Sequence, residues 1–103
     1  MKSVERARNI IEKFGTTDVF EIALKSNVKI VYGDWHPITI GEFDKKTNTI
    51  CVNRRAVAEN KNGQDLEKKI IAHELGHFFA QEFDLDRKTE EDFALNFAQE
   101  LFK

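Results

Sequence analysis

The chain has 103 residues, of which 41% are hydrophobic and 33% are charged, as in an ordinary soluble globular protein. This length supports a single small domain, residues 1–103, with one modest core. A net charge of −2 argues against direct binding of nucleic acid. No stretch approaches the roughly 20 apolar residues of a membrane span, and the charged first residues lack the apolar core of a signal peptide. With a single cysteine, Cys51, these features predict a cytoplasmic protein.

Hydrophobic periodicity predicts two helices in the first third of the chain. Apolar residues recur at helical spacing from Val4 to Phe14, and Gly15 ends that segment. Asp18 can cap a second helix, whose apolar face begins at Val19.

Branched and aromatic residues then predict a small three-stranded sheet, with strands at 29–32, 38–43 and 49–52. Residues 44–48 are typical of a hairpin loop between the last two strands. The segment 54–64 is polar, and we expect a loop at about 60–63. Two more helices follow, at about 65–83 and 90–102. This order of elements is typical of an α+β fold.

The segment IIAHELGHFFA, residues 70–80, is the strongest chemical feature of the sequence. His73 and His77 lie one helical turn apart and project only about 40° from each other. Two imidazoles in this arrangement can bind one metal ion, and Zn²⁺ accepts nitrogen ligands in a tetrahedral shell. Glu74 points away from the two rings but can reach a water on the metal. That is the position of the base in metal-assisted peptide hydrolysis.

The neighbours of this motif are apolar around most of the helix, which predicts a central, buried helix. Histidines and a glutamate are costly there without partners, which favours a metal site. The alternative is a metal-free helical domain with satisfied core histidines. Gly76 lowers helix propensity by about 1 kcal/mol relative to alanine, and it predicts the close approach of another segment.

The spacing of the motif alone does not identify the third ligand of the metal. Catalytic zinc usually has three protein ligands and a fourth position for water. His36 lies far upstream, and nothing in its spacing selects it. The last helix offers Glu90 and Glu91, both on or beside its apolar face, with Thr89 as the predicted N-cap. The helix dipole also favours acids in a first turn, with no metal present. Periodicity does not show which of the two glutamates is the ligand.

The motif AHELGH, followed by a helix that reads E-x-x-A-x-x-F-A from Glu91 to Ala98, resembles the ImmA/IrrE family of small zinc metallopeptidases. The segments DVFEIALKSNVKIVYGD and TNTICVN also resemble that family, so the resemblance covers nearly the whole chain. It implies a minimal zincin-like metallopeptidase domain. Such a domain has two N-terminal helices, a small three-stranded sheet, an HExxH helix and a C-terminal helix.

The same resemblance implies the roles of individual residues. His73 and His77 bind zinc, Glu74 is the base, and Glu91 is the third ligand. The family usually has Ala-Asn where this chain has Ala-Leu at 94–95, so a residue that supports the site is missing or is replaced by Asn96. Relatives commonly continue with further helices beyond the position at which this chain ends.

Motif and resemblance together predict a zinc-dependent endopeptidase in which Glu74 activates a zinc-bound water, and the resemblance implies a prokaryote or mobile element as its setting. The resemblance implies that the protein substrate is a repressor-type transcription regulator with a helix-turn-helix. We interpret residues 48–53 as an edge strand that can pair with an extended substrate. His36, Tyr32 and Arg54 are candidates for the oxyanion donor, although each is more typical of a structural role.

The alternative function is a non-catalytic zinc-binding, zincin-like module that binds or sequesters a protein partner. Small size favours this alternative. The presence of Glu74 argues against it, because a purely structural zinc site has no use for a base.

Overall fold

The computed structural model describes residues 2–34 and 40–103. Within these residues the chain forms five α-helices and one three-stranded sheet, which confirms the α+β class. The elements, in chain order, are α1 (Lys2–Phe14), α2 (Val19–Lys25), β1 (Lys29–Gly33), β2 (Gly41–Asp44), β3 (Thr49–Asn53), α3 (Arg54–Glu59), α4 (Gly63–Ala80) and α5 (Arg87–Leu101), with a 3₁₀ turn at Gln81–Phe83 between the last two helices.

The two N-terminal helices form as predicted. Gly15 follows α1 in the left-handed region, with a φ of 67°, which a residue without a Cβ adopts at little cost. The Asp18 carboxylate accepts a hydrogen bond of 2.9 Å from the backbone N–H of Phe20, so Asp18 caps α2. Ala7 and Ile10 of α1 and Ile22 of α2 are fully or almost fully buried in the core.

The sheet has the strand order β1-β3-β2, in which β3 is parallel to β1 and antiparallel to β2. The predicted hairpin between β2 and β3 is therefore confirmed. The interpretation of residues 48–53 as an edge strand is wrong, because β3 pairs on both sides. Ile50 and Val52 are completely buried, as expected of a central strand. Among the described residues, β1 and β2 are the edges.

Two other expectations for this region need correction. The second strand, predicted over 38–43, spans Gly41–Asp44 in the described chain and does not include Ile40; residues 38 and 39 lie outside the described part. The polar segment after β3 begins with a short helix, α3, which the sequence analysis did not predict. The side chain of Asn53 caps this helix by accepting a hydrogen bond of 3.2 Å from the N–H of Ala56.

The N-cap of α5 is Asp86, and the prediction of Thr89 is wrong. The Asp86 carboxylate accepts a hydrogen bond of 2.8 Å from the backbone N–H of Thr89, and its carbonyl oxygen accepts one from Glu90. The helix therefore starts one turn earlier than expected, and Glu90 lies within its first turn.

Helix α4 is the centre of the molecule, as its apolar circumference predicts. It contacts α1, α2, α3, α5, β2 and β3. Ile71, Ala72 and Leu75 have no exposed surface. Although α4 is the longest helix of the described chain, no helix there has both the length and the apolarity to cross a membrane.

Helices α4 and α5 run antiparallel. The rings of Phe83 and Phe93 lie 5.4 Å apart, and those of Phe79 and Phe97 lie 5.3 Å apart. Residues further along α5 therefore lie beside earlier residues of α4. This arrangement brings the first turns of α5 next to the HExxH motif.

Candidate metal centre

The HExxH motif lies in the second half of α4, where the helix is regular. The imidazole rings of His73 and His77 have centroids 5.0 Å apart, one helical turn from each other. Their side chains are 22% and 17% exposed, so both are mostly buried but open to solvent on one side. The motif therefore presents two ring nitrogens to a partly enclosed space.

A close helix crossing brings α5 to this motif. A Cβ added to Gly76 would lie 2.6 Å from the Cα of Ala94 and 2.9 Å from its carbonyl oxygen. These distances exclude any side chain at position 76 in this packing. The predicted close approach of another segment at Gly76 is confirmed, and that segment is α5.

The crossing brings the carboxylate of Glu91 between the two imidazoles. One oxygen lies 2.8 Å from Nε2 of His73, and the other lies 3.1 Å from Nε2 of His77. One donor atom from each of the three residues lies within 4.8 Å of the others. Two donors in a tetrahedral zinc site, with bonds of about 2.0–2.1 Å, lie roughly 3.4 Å apart. Two imidazole nitrogens and a carboxylate oxygen are zinc-type donors, so this residue set could hold a zinc ion.

Glu90 occupies a different position from Glu91. Its carboxylate lies 3.3 Å from Nδ1 of His77, the ring nitrogen that faces away from Glu91. A carboxylate that accepts the Nδ1 hydrogen leaves the lone pair of Nε2 available to a metal ion and holds the ring in place. The two glutamates that periodicity did not separate thus contact opposite nitrogens of one imidazole.

Glu74 is buried beside the three converging residues and is not one of them. Its side chain is only 8% exposed. Burial raises the pKa of Glu74 to about 7; the nearby His77 opposes this rise, whereas Glu91 and Glu42 add to it. A carboxyl group with a pKa near neutrality can exchange a proton at physiological pH.

Strand β2 passes directly over Glu74, and the sequence analysis missed its role. A Cβ added to Gly41 would clash with the side chain of Ile70 and would lie 3.6 Å from a carboxylate oxygen of Glu74. A glycine inside a strand often marks such a close approach, so Gly41 was the available signal. Together β2, α4 and α5 form a groove of about 970 Å³, whose wall includes His73, Glu74, His77, Glu90 and Glu91.

The outer edge of β2 presents backbone groups beside this groove. The N–H of Asn53 donates to the carbonyl of Ile40 at 2.9 Å, and the register aligns Glu42 with Cys51. In an antiparallel pair, every second residue of a strand directs its N–H and C=O towards the partner strand. Ile40 is such a residue, so the N–H and C=O groups of Glu42, two positions further along, also point towards β3. Those of Gly41 and Phe43 point away from β3, and no further described strand pairs with β2.

Two of the three candidate oxyanion donors, Tyr32 and Arg54, have other partners. The hydroxyl of Tyr32 donates to Glu67 at 2.6 Å, and burial with this contact raises the pKa of Tyr32 to about 12. Arg54 pairs with Asp34 at 2.6 Å. Neither side chain belongs to the wall of the groove. His36 lies outside the described residues.

The described residues thus bring together His73, His77 and Glu91, with Glu74 buried alongside. Comparison of the chain with protein-family models, with curated proteins and with solved structures finds no match. The resemblance to the ImmA/IrrE family therefore rests on the sequence segments quoted above.

Proposed function

We propose that this chain is a cytoplasmic zinc-dependent endopeptidase of the ImmA/IrrE type with a zincin-like fold. His73, His77 and Glu91 bind the metal, and Glu74 is the general base. The observation that carries this proposal is the contact of the Glu91 carboxylate with Nε2 of both histidines, which gathers three zinc-type donors. The buried carboxylate of Glu74, on the same helix, supports catalysis over a purely structural site.

The chemistry of the reaction follows from the positions of these groups. A zinc ion held by His73, His77 and Glu91 would supply Lewis-acid chemistry, lowering the pKa of its water towards 7 and polarising a carbonyl. Glu74 accepts a proton from the attacking water and returns it to the leaving amine. Glu90, at Nδ1 of His77, would hold this imidazole with Nε2 free to bind the ion.

The edge of β2 supports a protein substrate bound in extended form. The backbone groups of Gly41 and Phe43 can form hydrogen bonds with a substrate strand, next to the metal centre. Main-chain hydrogen bonds position the backbone of the substrate but do not select its side chains. The resemblance points to a helix-turn-helix repressor as the substrate, cleaved in a segment that can become extended.

One observation favours the second candidate, a non-catalytic zinc-binding module that sequesters a partner. Tyr32 and Arg54 are both engaged away from the groove, so neither is available as a donor to the oxyanion. A module that only binds needs no such donor. The zinc site is common to both candidates, and only cleavage separates them.

The zinc site is tested by metal analysis of the purified protein. We expect about one zinc per chain in the wild type, and its loss in His73→Ala, because two ligands do not hold the ion tightly. Unchanged zinc content in His73→Ala would show that the ligand assignment is wrong.

Glu74→Gln separates the enzyme from the binding module. The substitution preserves size but removes the base, so zinc and fold should persist while cleavage falls about 1,000-fold or more. The substrate for this assay is a helix-turn-helix repressor encoded near the gene, incubated with wild type and variant in parallel. If both proteins relieve the repressor equally and no fragments form, the chain acts by binding alone.

A further inference from the structure

The groove extends beyond the metal centre into an apolar end that the proposed chemistry does not use. Ile40, Leu95 and Phe102 line it and are 45%, 46% and 46% exposed. Because α5 is antiparallel to α4, Leu95 and Phe102 lie towards the first half of α4, where Leu66 also lines the groove. Large apolar side chains that remain exposed inside a groove are typical of a binding surface.

The rim of the same groove carries three cations, Lys45, Lys69 and Arg87. None of the three forms an ion pair with another residue in the described ranges. By contrast, Arg54 and Arg55 elsewhere on the surface each pair with an acid. The rim cations are therefore available to an incoming ligand.

Three of the four acids of the described wall lie at the candidate metal centre. Glu90 and Glu91 contact the histidines, and Glu74 is buried. Glu42 is the remaining acid of the described wall, and it is exposed. Outside the candidate metal centre, the described wall therefore carries three cations and one carboxylate, which favours acidic side chains in a bound peptide.

We infer that the groove binds an extended, acidic peptide segment that carries a large apolar side chain. The apolar side chain contacts Leu95 and Phe102, and acidic side chains lie near Lys45, Lys69 and Arg87. This inference rests on the proposed function and names the substrate class. Backbone pairing with β2 holds the segment without regard to its sequence, whereas the apolar end and the cations select it.

The chain offers matched controls for the charge contribution. Each rim cation has an adjacent cation that does not line the groove: Lys46 for Lys45, Lys68 for Lys69, and Lys88 for Arg87. Reversal to glutamate at either member of a pair changes the net charge equally. A difference within a pair therefore reports the groove itself and not the overall charge of the protein.

The experiment measures the binding of fluorescent peptides to zinc-loaded, full-length Glu74→Gln by anisotropy at low salt. The probes are unstructured peptides of equal length with a central Phe flanked by Asp, a central Phe flanked by Lys, or a central Ala flanked by Asp. We expect the first to bind about tenfold more tightly than the other two. Binding of this Asp-flanked Phe peptide should weaken about three- to tenfold in each rim variant, Lys45→Glu, Lys69→Glu and Arg87→Glu. It should not change in the control variants Lys46→Glu, Lys68→Glu and Lys88→Glu.

The apolar end is tested by Leu95→Ser, with Leu24→Ser as the control, since Leu24 is 76% exposed and lies outside the groove. We expect about fivefold weaker binding of the Phe peptide in Leu95→Ser alone. Any of three results would overturn the inference. The two variants of each matched pair could weaken peptide binding equally, the Lys-flanked peptide could bind as tightly as the Asp-flanked one, or no peptide could bind at about 1 mM.

Failure of the proposed function would give a different result. Wild-type protein would then bind the acidic peptide with the predicted pattern and release no fragments from peptide or repressor. Conversely, if the wild type cuts a repressor while both members of every matched pair behave alike, the peptidase proposal stands and the acidic substrate class is wrong.

Discussion

The face that α5 presents to α4 and to the 3₁₀ turn after it contains two stretches that differ in chemistry. The aromatic stretch consists of phenyl rings packed in pairs: Phe79 with Phe97, and Phe83 with Phe93. The polar stretch consists of imidazoles in contact with carboxylates: His73, His77, Glu90 and Glu91. The glycine crossing at Gly76 and Ala94 adjoins both.

The two stretches should respond differently to the metal. Burial of phenyl rings stabilises the fold without any ligand. The polar stretch keeps ionisable groups half-buried, and a bound cation would stabilise it by mass action. We therefore expect that the fold depends on the aromatic stretch under all conditions, and on the polar stretch only when zinc is present.

The largest expected effect is that of Phe97→Ala, because Phe97 has no exposed surface and its ring packs against two other phenyl rings. The free energy of unfolding should fall by about 3–5 kcal/mol, with or without chelator. Urea unfolding under both conditions measures this. Phe20→Ala is the control: Phe20 is 36% exposed, so this variant should lose much less free energy of unfolding. A loss that disappears in chelator would show that the aromatic stretch is not independent of the metal.

Removal of zinc should have the next largest effect. At free zinc 100 to 1,000 times the dissociation constant, binding stabilises the fold by about 2.7–4.1 kcal/mol. Chelator should therefore lower the Tm of the wild type by roughly 10–20 °C. His77→Ala lacks a ligand, and its Tm should hardly respond to chelator. An equal response of the two proteins would contradict the metal site.

The local features of this molecule could be read from its sequence, because each depends on neighbours along the chain. The apolar circumference of the HExxH helix predicted its central position, and Asp18 predicted the start of α2. Gly76 predicted a close crossing, since glycine there lowers helix propensity for no local benefit. In each case the residues of one segment were sufficient for the prediction.

The features that could not be predicted from the sequence depend on how segments distant in the chain meet. Glu90 and Glu91 both lie beside the apolar face of α5, and their different contacts with His77 follow from the position of the crossing at Ala94. The order of the strands is likewise non-local, so β3 was misinterpreted as an edge. Asp86 was overlooked as a cap because Thr89 stands nearer to the apolar run, although Asp86 is the better-placed acceptor.

The crossing itself can be disrupted by Gly76→Ala. Alanine has a higher helix propensity than glycine, by about 1 kcal/mol, but its Cβ would overlap the backbone of Ala94. We expect a net loss of about 1–3 kcal/mol in stability and weaker zinc binding, because α5 must move away. Calorimetry and a zinc competition assay measure the two effects. Adding Ala94→Gly should not restore them, since the overlap is with main-chain atoms; full rescue would show that the side chain alone is responsible.

The smallest expected effect separates the two glutamates of the polar stretch. Glu91→Gln removes a charged ligand, and zinc affinity should fall by about 100-fold or more, since loss of an outer-shell partner alone costs about 10- to 100-fold. Glu90→Gln keeps an oxygen that can still accept from Nδ1 of His77, so affinity should fall only about tenfold, or roughly 1.4 kcal/mol. Zinc competition measures both, and unfolding in chelator should differ little between the variants, because neither residue belongs to the aromatic stretch. A larger loss in Glu90→Gln would identify Glu90 as the ligand and would require the carboxylates to exchange places when zinc binds.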